Sequence, residues 1–223
     1  MITAELSNIA KLITQQRQFF QTDKTKDVAF RIEKLRTLKQ AIIDNETDIV
    51  KALKADFQKP EFESYATEIG VTKEIDYAIK HLHSWAKPQK AEVPIEFFSY
   101  SAKIYAEPLG VVLIIGPWNY PFNLIIAPLV GAIAAGNCAI LKPSEIAPAT
   151  SSLLAKMMAK YFEPEYITVV EGGVEASQKL LAEKFDHIFF YWWCDCGQNC
   201  YGSSRKTSHP SNFRIRWQKP LYC

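Results

Sequence analysis

The chain is short of the groups that mark several protein classes. Its 223 residues hold only five cysteines, an odd number, and four of them fall after residue 193. In a chain without a secretory start, that usage argues against a disulfide framework. Histidine is scarce too, with four residues; His81 and His83 stand two apart in a helical stretch, so they point in different directions and make a poor metal pair. Neither sign of charge dominates, and a formal net charge of +2 points neither to nucleic acid nor to an anionic membrane. Long apolar runs are missing: the one around Ile114 is broken by Gly116, Pro117 and Asn119, and residues 122–135 are too few to span a bilayer. The start, MITAELSNIAKLITQQ, has no cationic cluster and no continuous apolar core, so it does not read as a secretory signal. The phosphate-binding pattern G-x-G-x-x-G is absent as well. What remains is a cytoplasmic globular chain, long enough for one large domain or two small ones.

The features that are present centre on residues 108–145, PLGVVLIIGPWNYPFNLIIAPLVGAIAAGNCAILKPSE. Val111–Ile115 is a continuous β-branched and leucine run, as expected for a strand buried on both faces. Gly116 and Pro117 break it, and a turn follows with Trp118, Asn119, Tyr120 and Pro121. Residues 122–135 read as a helix closed by Gly136-Asn137, and 138–141 as the next strand, ending in Lys142-Pro143-Ser144-Glu145. Strand, turn, helix, strand is a parallel crossover unit, and its polar residues gather at the carboxyl ends of the strands, where open α/β sheets bind ligands.

Upstream, the pattern is helical. Residues 5–20 place Ile9, Leu12, Ile13 and Phe19 on one face, with Gln15, Gln16 and Gln18 favouring a solvated side. Residues 27–57 read as one long amphipathic helix carrying Ile32, Leu35, Leu38, Ile42, Ile49 and Leu53, ended by Lys59-Pro60. Residues 64–86 read as a third, and the charge runs as solvated faces. Residues 87–94 form a proline-bearing connector. Residues 97–100 and 104–106 then make a hairpin candidate, or an edge ribbon of the main domain. Downstream, helices at 147–161 and 175–183 alternate with strands at 166–170 and 187–190, with Gly172-Gly173 as a turn, which continues the parallel α/β pattern.

Three groups of residues here have competing readings. An amide on a turn just past a strand can donate to a developing oxyanion, yet Asn119 taken alone reads more simply as satisfying turn backbone. Lys142 and Glu145, between strand and helix, can hold the hydroxyls of a ribose or form an ordinary helix start. Trp118 and Tyr120 read as channel walls or as core aromatics, with core packing favoured by the residues alone.

PWNYP and LKPSE, at this spacing, resemble two signature motifs of the aldehyde dehydrogenase superfamily, and Tyr120-Pro121-Phe122-Asn123-Leu124 looks most like its class 3 and fatty-aldehyde branch. The resemblance runs to Phe190. It implies an α/β fold: N-terminal helices within the cofactor-binding domain (1–94), a β-hairpin oligomerisation arm (95–107) and a partial Rossmann-like parallel sheet binding NAD(P) (108–190). It implies oxidation of an aldehyde to a carboxylic acid through a cysteine thiohemiacetal and thioester. It assigns Asn119 as oxyanion donor and places Ile115, Gly116, Pro117, Trp118, Lys142, Ser144, Glu145, Gly172 and Gly173 against the cofactor. A glutamate beside the ribose 2′-hydroxyl repels a 2′-phosphate and leans towards NAD over NADP. The family's partners are a small aldehyde and a second copy of the chain, with no nucleic acid.

Residues 191–223 read YWWCDCGQNCYGSSRKTSHPSNFRIRWQKPLYC, without periodicity, and are expected to be a non-homologous, disordered tail. The family's general-base motif, E-L-G-G-K, and its nucleophilic cysteine are not found. Codons for Tyr191-Trp192-Trp193-Cys194, read one base later, permit Thr-Gly-Gly. Permitted wobble bases carry that shifted frame on to E-L-G-G-K. The chain thus reads as a fragment with a frameshifted tail, unable to oxidise aldehydes, with weak cofactor binding and poor solubility from exposed strand edges. Two other readings compete: a non-catalytic oligomerising subunit, and a zinc module through Cys194, Cys196, Cys200 and His209, whose spacing matches no common finger. Sequencing of the coding DNA across codons 188–195 is expected to reveal the one-base slip in a thymine-rich run at Phe189-Phe190; a related gene reading straight through to the same tail would overturn it.

Overall fold

A computed structural model of the chain describes residues 8–97 and 99–191. Helix α1 (Ile9–Phe20) buries Ile9, Leu12 and Ile13 as its periodicity predicts. Gln16 departs from the expected solvated face. It is fully buried, and its Nε2 donates to the carbonyls of Ala139 (3.1 Å) and Pro164 (3.2 Å), which makes burial of the amide tolerable. Gln15 and Gln18 stay exposed.

The expected long helix is two: α2 (Val28–Asp44), capped by Asp27 Oδ1 on the Ala29 N–H (3.0 Å), and α3 (Glu46–Phe57). The break falls at Asn45, whose side chain donates to the Ala41 carbonyl at 2.7 Å and whose φ of −114° leaves the helix. Ile42 and Ile49 lie seven residues apart across it and are both fully buried, so the apolar face continues and hides the break from periodicity. The third expected helix is also composite. A single turn, α4 (Glu61–Glu63), runs into a π-helical turn (Ser64–Glu68), a 3-10 turn (Ile69–Val71) and then α5 (Thr72–Trp85). On α5, His81 stacks between the rings of Tyr77 (4.3 Å) and Trp85 (6.0 Å).

The antiparallel ribbon exists, but displaced from its expected strands. It joins β1 (Gln89–Ala91) to β2 (Ala102–Ile104), with Lys90 opposite Lys103, while Ile95–Phe97 is a 3-10 turn. The first strand therefore lies in the stretch read as a connector, between Pro88 and Pro94.

The rest is a parallel sheet with intervening helices: β3 (Val111–Ile115), α6 (Asn123–Ala135), β4 (Cys138–Lys142), α7 (Pro148–Tyr161), β5 (Ile167–Val169), α8 (Val174–Ala182) and β6 (His187–Phe190). The order is β5-β4-β3-β6, all parallel. β3 and β4 are buried along their whole length, as their unbroken apolar runs require. Gly136 ends α6 at φ +85°, as its C-cap position implies, and a Cβ there would lie 2.6 Å from the Thr25 carbonyl oxygen. Among the described residues no helix is long and apolar enough to cross a membrane.

The entry to β3 is held by side chains. Asn137 Oδ1 accepts the N–H groups of Leu109 (2.7 Å) and Gly110 (3.0 Å). Asp186 Oδ2 accepts from the Val111 N–H and from Arg17 on α1, both at 2.9 Å. Gly110 has φ +136°, and a Cβ there would overlap that carboxylate. Gly110→Ala is therefore expected to lower the unfolding free energy by about 2–4 kcal/mol, combining backbone strain with a displaced Asp186. Urea denaturation of the variant measures this; a loss below about 0.5 kcal/mol would contradict the role given to the left-handed glycine.

Candidate functional site

The sheet changes direction at β3. From β3 the chain steps to β4 and then β5 on one side, then returns to lay β6 on the other side. In open α/β sheets, the crevice beyond the strand carboxyl ends at such a reversal is where ligands sit. The Pro117–Pro121 turn leaves β3 at this point, and Lys142–Glu145 leaves β4 next to it. A backbone bond joins them: the Gly116 N–H donates to the Lys142 carbonyl at 3.0 Å. A Cβ on Gly116 would come within 2.6 Å of the Ile125 side chain, so glycine lets α6 close against the strand.

Lys142 is only 1% exposed. Its Nζ donates to the Pro143 carbonyl (2.7 Å) and to Glu145 Oε2 (3.3 Å). Burial pushes the ammonium below its usual 10.5, with the Glu145 charge pulling the other way. The Glu145 side chain is half exposed, and its Cγ and Oε1 lie 3.9 Å from where a Cβ on Gly173 would be. Lysine, glutamate and Gly172-Gly173 thus meet in one place, with exposed Ile146 and Val174 beside them. Ser144 Oγ accepts the Ile146 N–H (3.3 Å) and serves the turn itself.

The two helix starts on this edge differ. Asp56, from α3, accepts the N–H groups of Ala149 (2.9 Å) and Thr150 (2.8 Å), so a carboxylate already occupies the start of α7. No side chain caps α8, which begins directly after Gly173. Of the two, α8 is the one whose first N–H groups have no side-chain cap.

Asn119 is exposed. Its Oδ1 accepts the Tyr120 N–H at 3.1 Å, and its Nδ2 has no hydrogen-bond partner among the described residues. Trp118 and Tyr120 are not core aromatics: they are 42% and 38% exposed. Prolines at both ends hold this turn out of helix and sheet, and each ring keeps one contact with the body of the fold. Phe57 lies 6.0 Å from Trp118, and the Lys59 ammonium 4.4 Å from the Tyr120 ring.

Sequence reasoning misses the residues beneath this turn. Lys59 Nζ meets Glu68 Oε1 at 2.6 Å in an ion pair that is buried on both sides. Glu68 Oε2 accepts the N–H groups of Phe122 (3.2 Å) and Asn123 (2.8 Å) at the start of α6, and Asn123 Nδ2 donates to the Thr67 carbonyl (2.6 Å). Lys59 reads from sequence as part of a helix stop and Glu68 as part of a solvated face; their partners lie too far along the chain for local pattern to reveal. Cys138 is buried in β4, where desolvation pushes its thiol up to about 12, so it is no nucleophile at neutral pH. Among the described residues no group of three His, Cys, Asp or Glu is placed to hold a metal ion. Cys194, Cys196, Cys200 and His209, and with them the tail, its frameshift and its disorder, lie outside the described residues.

The fold is that of an α/β protein with a Rossmann-like parallel sheet. The profile of the aldehyde dehydrogenase family matches residues 2–209, and the chain belongs to that family. The match continues past Phe190, so the likeness extends further than the motifs alone indicate. The mouse dimeric NADP-preferring aldehyde dehydrogenase is 38% identical over 218 residues, 97% of this chain and 48% of that protein. The Arabidopsis thaliana aldehyde dehydrogenase family 3 member H1 is 40% identical over 220 residues, 98% of this chain and 45% of that protein. The solved Staphylococcus aureus AldH, in a substrate-bound state, superposes with a TM-score of 0.87 at 42% identity, covering 89% of this chain and 43% of that one. The chain spans about half the length of the curated relatives it matches.

Burying a lysine at a ligand edge carries a stability consequence. Lys142→Met keeps the volume and removes the buried charge, so it is expected to leave unfolding free energy unchanged or raise it by about 1–2 kcal/mol at neutral pH. The folded ammonium gives up its proton more readily than the unfolded one. Wild-type stability therefore climbs with pH between the depressed folded value and 10.5, and the gap to the variant narrows there. Urea unfolding at neutral and alkaline pH tests both statements, and a Met variant clearly weaker than wild type at neutral pH would contradict them.

Proposed function

We propose that these residues form the cofactor-facing part of an NAD(P)-dependent aldehyde dehydrogenase, supplying a dinucleotide seat and one oxyanion donor. The observation carrying this is the convergence of Lys142, Glu145 and Gly173 at the sheet reversal, one backbone hydrogen bond away from the Asn119 turn. The group fits the residues present. Lys142 and Glu145 would hold the ribose hydroxyls, Gly173 leaves room for backbone approach, and the uncapped start of α8 faces a phosphate. Ile146 and Val174 offer exposed apolar surface for a flat ring, and residues 115–118 would line the next part of the cleft. When bound, NAD(P) supplies the electron acceptor for aldehyde oxidation.

This chain's own part in the chemistry is electrostatic. The free Nδ2 of Asn119 can donate to the aldehyde oxygen as that oxygen gains charge, a contribution of about 3 kcal/mol for one such donor. The cysteine that would form the thiohemiacetal and thioester, and the base of E-L-G-G-K, are not matched by any residue of this sequence. The 223-residue polypeptide taken alone is therefore proposed to be inactive. The one-base slip before residue 191 remains our account of the missing motif, and the β1–β2 ribbon our candidate for the oligomerisation arm. The carboxylate of Glu145 beside a 2′-position favours NAD over NADP, although one relative is named NADP-preferring.

Saturation-transfer NMR of the purified chain with NAD and with NADP tests the seat. NAD is expected to bind weakly but more tightly than NADP, and Glu145→Gln to weaken NAD about tenfold while narrowing that preference. No NADH should form with aliphatic or aromatic aldehydes. Absence of dinucleotide binding refutes the seat, and NADH formation by chain of confirmed intact mass refutes the inactivity.

A further inference from the structure

The exposed amide of Asn119 sits on a turn with no regular structure of its own, yet its direction is not left to the turn. The buried ion pair beneath it touches the backbone of Asn119 and the ring of the residue that follows. Lys59 Nζ lies 3.5 Å from the Asn119 carbonyl oxygen and 4.4 Å from the Tyr120 ring, and 2.6 Å from Glu68 Oε1. The other oxygen of Glu68 holds the first N–H groups of α6, the helix the turn feeds into. One carboxylate therefore locks the helix start, and the cation it carries grips the loop just before that start.

The placement of Glu68 depends on an irregular segment. It is the last residue of the π-helical turn, which is wider than an α-helical turn and shifts the side chains that follow. Hydroxyls support this turn from within: Ser64 Oγ donates to the Pro60 carbonyl (3.1 Å) and Thr67 Oγ1 to the Glu63 carbonyl (2.7 Å). Glu68 is fully buried, and the Lys59 side chain nearly so. Apolar residues of equal volume generally match or exceed a buried ion pair in stability. Stability alone therefore does not account for this pair, whereas positional definition does.

We propose that Lys59 and Glu68 are positioning residues for the Asn119 amide: through the Asn119 carbonyl and the Tyr120 ring they hold the turn so that Asn119 Oδ1 stays on the Tyr120 N–H and Nδ2 points outward as a donor. The use of that donor rests on the function proposed above; the positioning itself does not, and the two fail separately.

Amide hydrogen exchange and side-chain NH2 resonances of the isotope-labelled full chain test it, in Lys59→Arg, Glu68→Gln and the Lys59→Met/Glu68→Gln double variant. The double variant removes both charges and keeps an acceptor for α6, so it is expected to stay folded. In it the Phe122 and Asn123 amides should remain protected, while the Tyr120 amide exchanges about tenfold faster and the Asn119 NH2 signals broaden or move towards free-amide values. Lys59→Arg, which keeps the cation, should restore both Asn119 and Tyr120 signals. If the pair serves only packing and the helix cap, Asn119 and Tyr120 will be unchanged in every folded variant, and the proposal falls. Should the double variant not fold, Glu68→Gln alone decides: Lys59 loses the carboxylate at 2.6 Å there and keeps Glu63 Oε1 at 3.9 Å, and unchanged Asn119 and Tyr120 signals overturn the proposal equally. Loss of NAD binding in the wild-type chain would overturn the cofactor seat and leave these signals as they are.

Discussion

β3 is paired on both of its edges, and the ligand edge follows from that. With β4 on one side and β6 on the other, every residue from Val111 to Ile115 is buried and its backbone is committed to the ladder. A strand so held delivers the next residues to one point in space. Gly116 stays bonded to the Lys142 carbonyl, so the turn bearing Asn119 and the turn bearing Lys142 and Glu145 emerge as neighbours. The other end of β3 is tied as firmly, by Asn137 to Leu109 and Gly110 and by Asp186 to Val111 and Arg17. Three segments far apart in sequence are thereby held to the start of one strand.

Much of this was legible because burial on both faces leaves a clear mark. The runs VVLII and CAILK admit few readings other than interior strands, and Gly136 could be placed at a C-cap because its position followed an apolar helix. The convergence of LKPSE with Gly172-Gly173 was suggested by resemblance, and the geometry brings the two together. The failures share a different cause. Asn45 breaks a helix without disturbing the seven-residue spacing of Ile42 and Ile49. Gln16 is buried with its Nε2 on the carbonyls of Ala139 and Pro164, and nothing near Gln16 in sequence announces them. The first ribbon strand hid in a segment whose proline was read as a linker. Trp118 and Tyr120 read as core because aromatics usually are, and they stand in solvent because two prolines hold their turn outside the sheet. In each case a contact from distant sequence, or a backbone restriction, outweighed the local pattern.

The buried charges of this fold are not scattered. Lys59, Glu68 and Lys142 are all nearly or wholly out of water, and all lie along the carboxyl edge of the sheet or directly beneath it. Arg31, the remaining buried cation among the described residues, satisfies its guanidinium on the Thr25, Lys26 and Ala134 carbonyls at the opposite end of β4, where it joins helix ends. The difference in partners is informative. Arg31 is spent on backbone carbonyls that would otherwise lack donors, a structural use that an apolar residue could not replace. Lys59 meets a carboxylate that has to be desolvated as well, and Lys142 meets a carboxylate that stays half in water.

A charge pair buried in this way gives up stability that packed hydrocarbon would supply, and what it returns is direction. At the ligand edge direction is what the chemistry requires. An oxyanion donor acts by being already aimed when charge develops, because reorienting an amide during reaction would consume the stabilisation it provides. A solvent-exposed turn cannot aim a side chain through packing, since packing is what it lacks. It can do so only by being tied to something rigid. The rigid objects within reach are the start of α6 and the end of α3: Glu68 is bonded to the first, and Lys59 follows the second. On our proposal the position of an exposed amide is set from the interior, by two charges that local sequence pattern assigns to a helix stop and a solvated face.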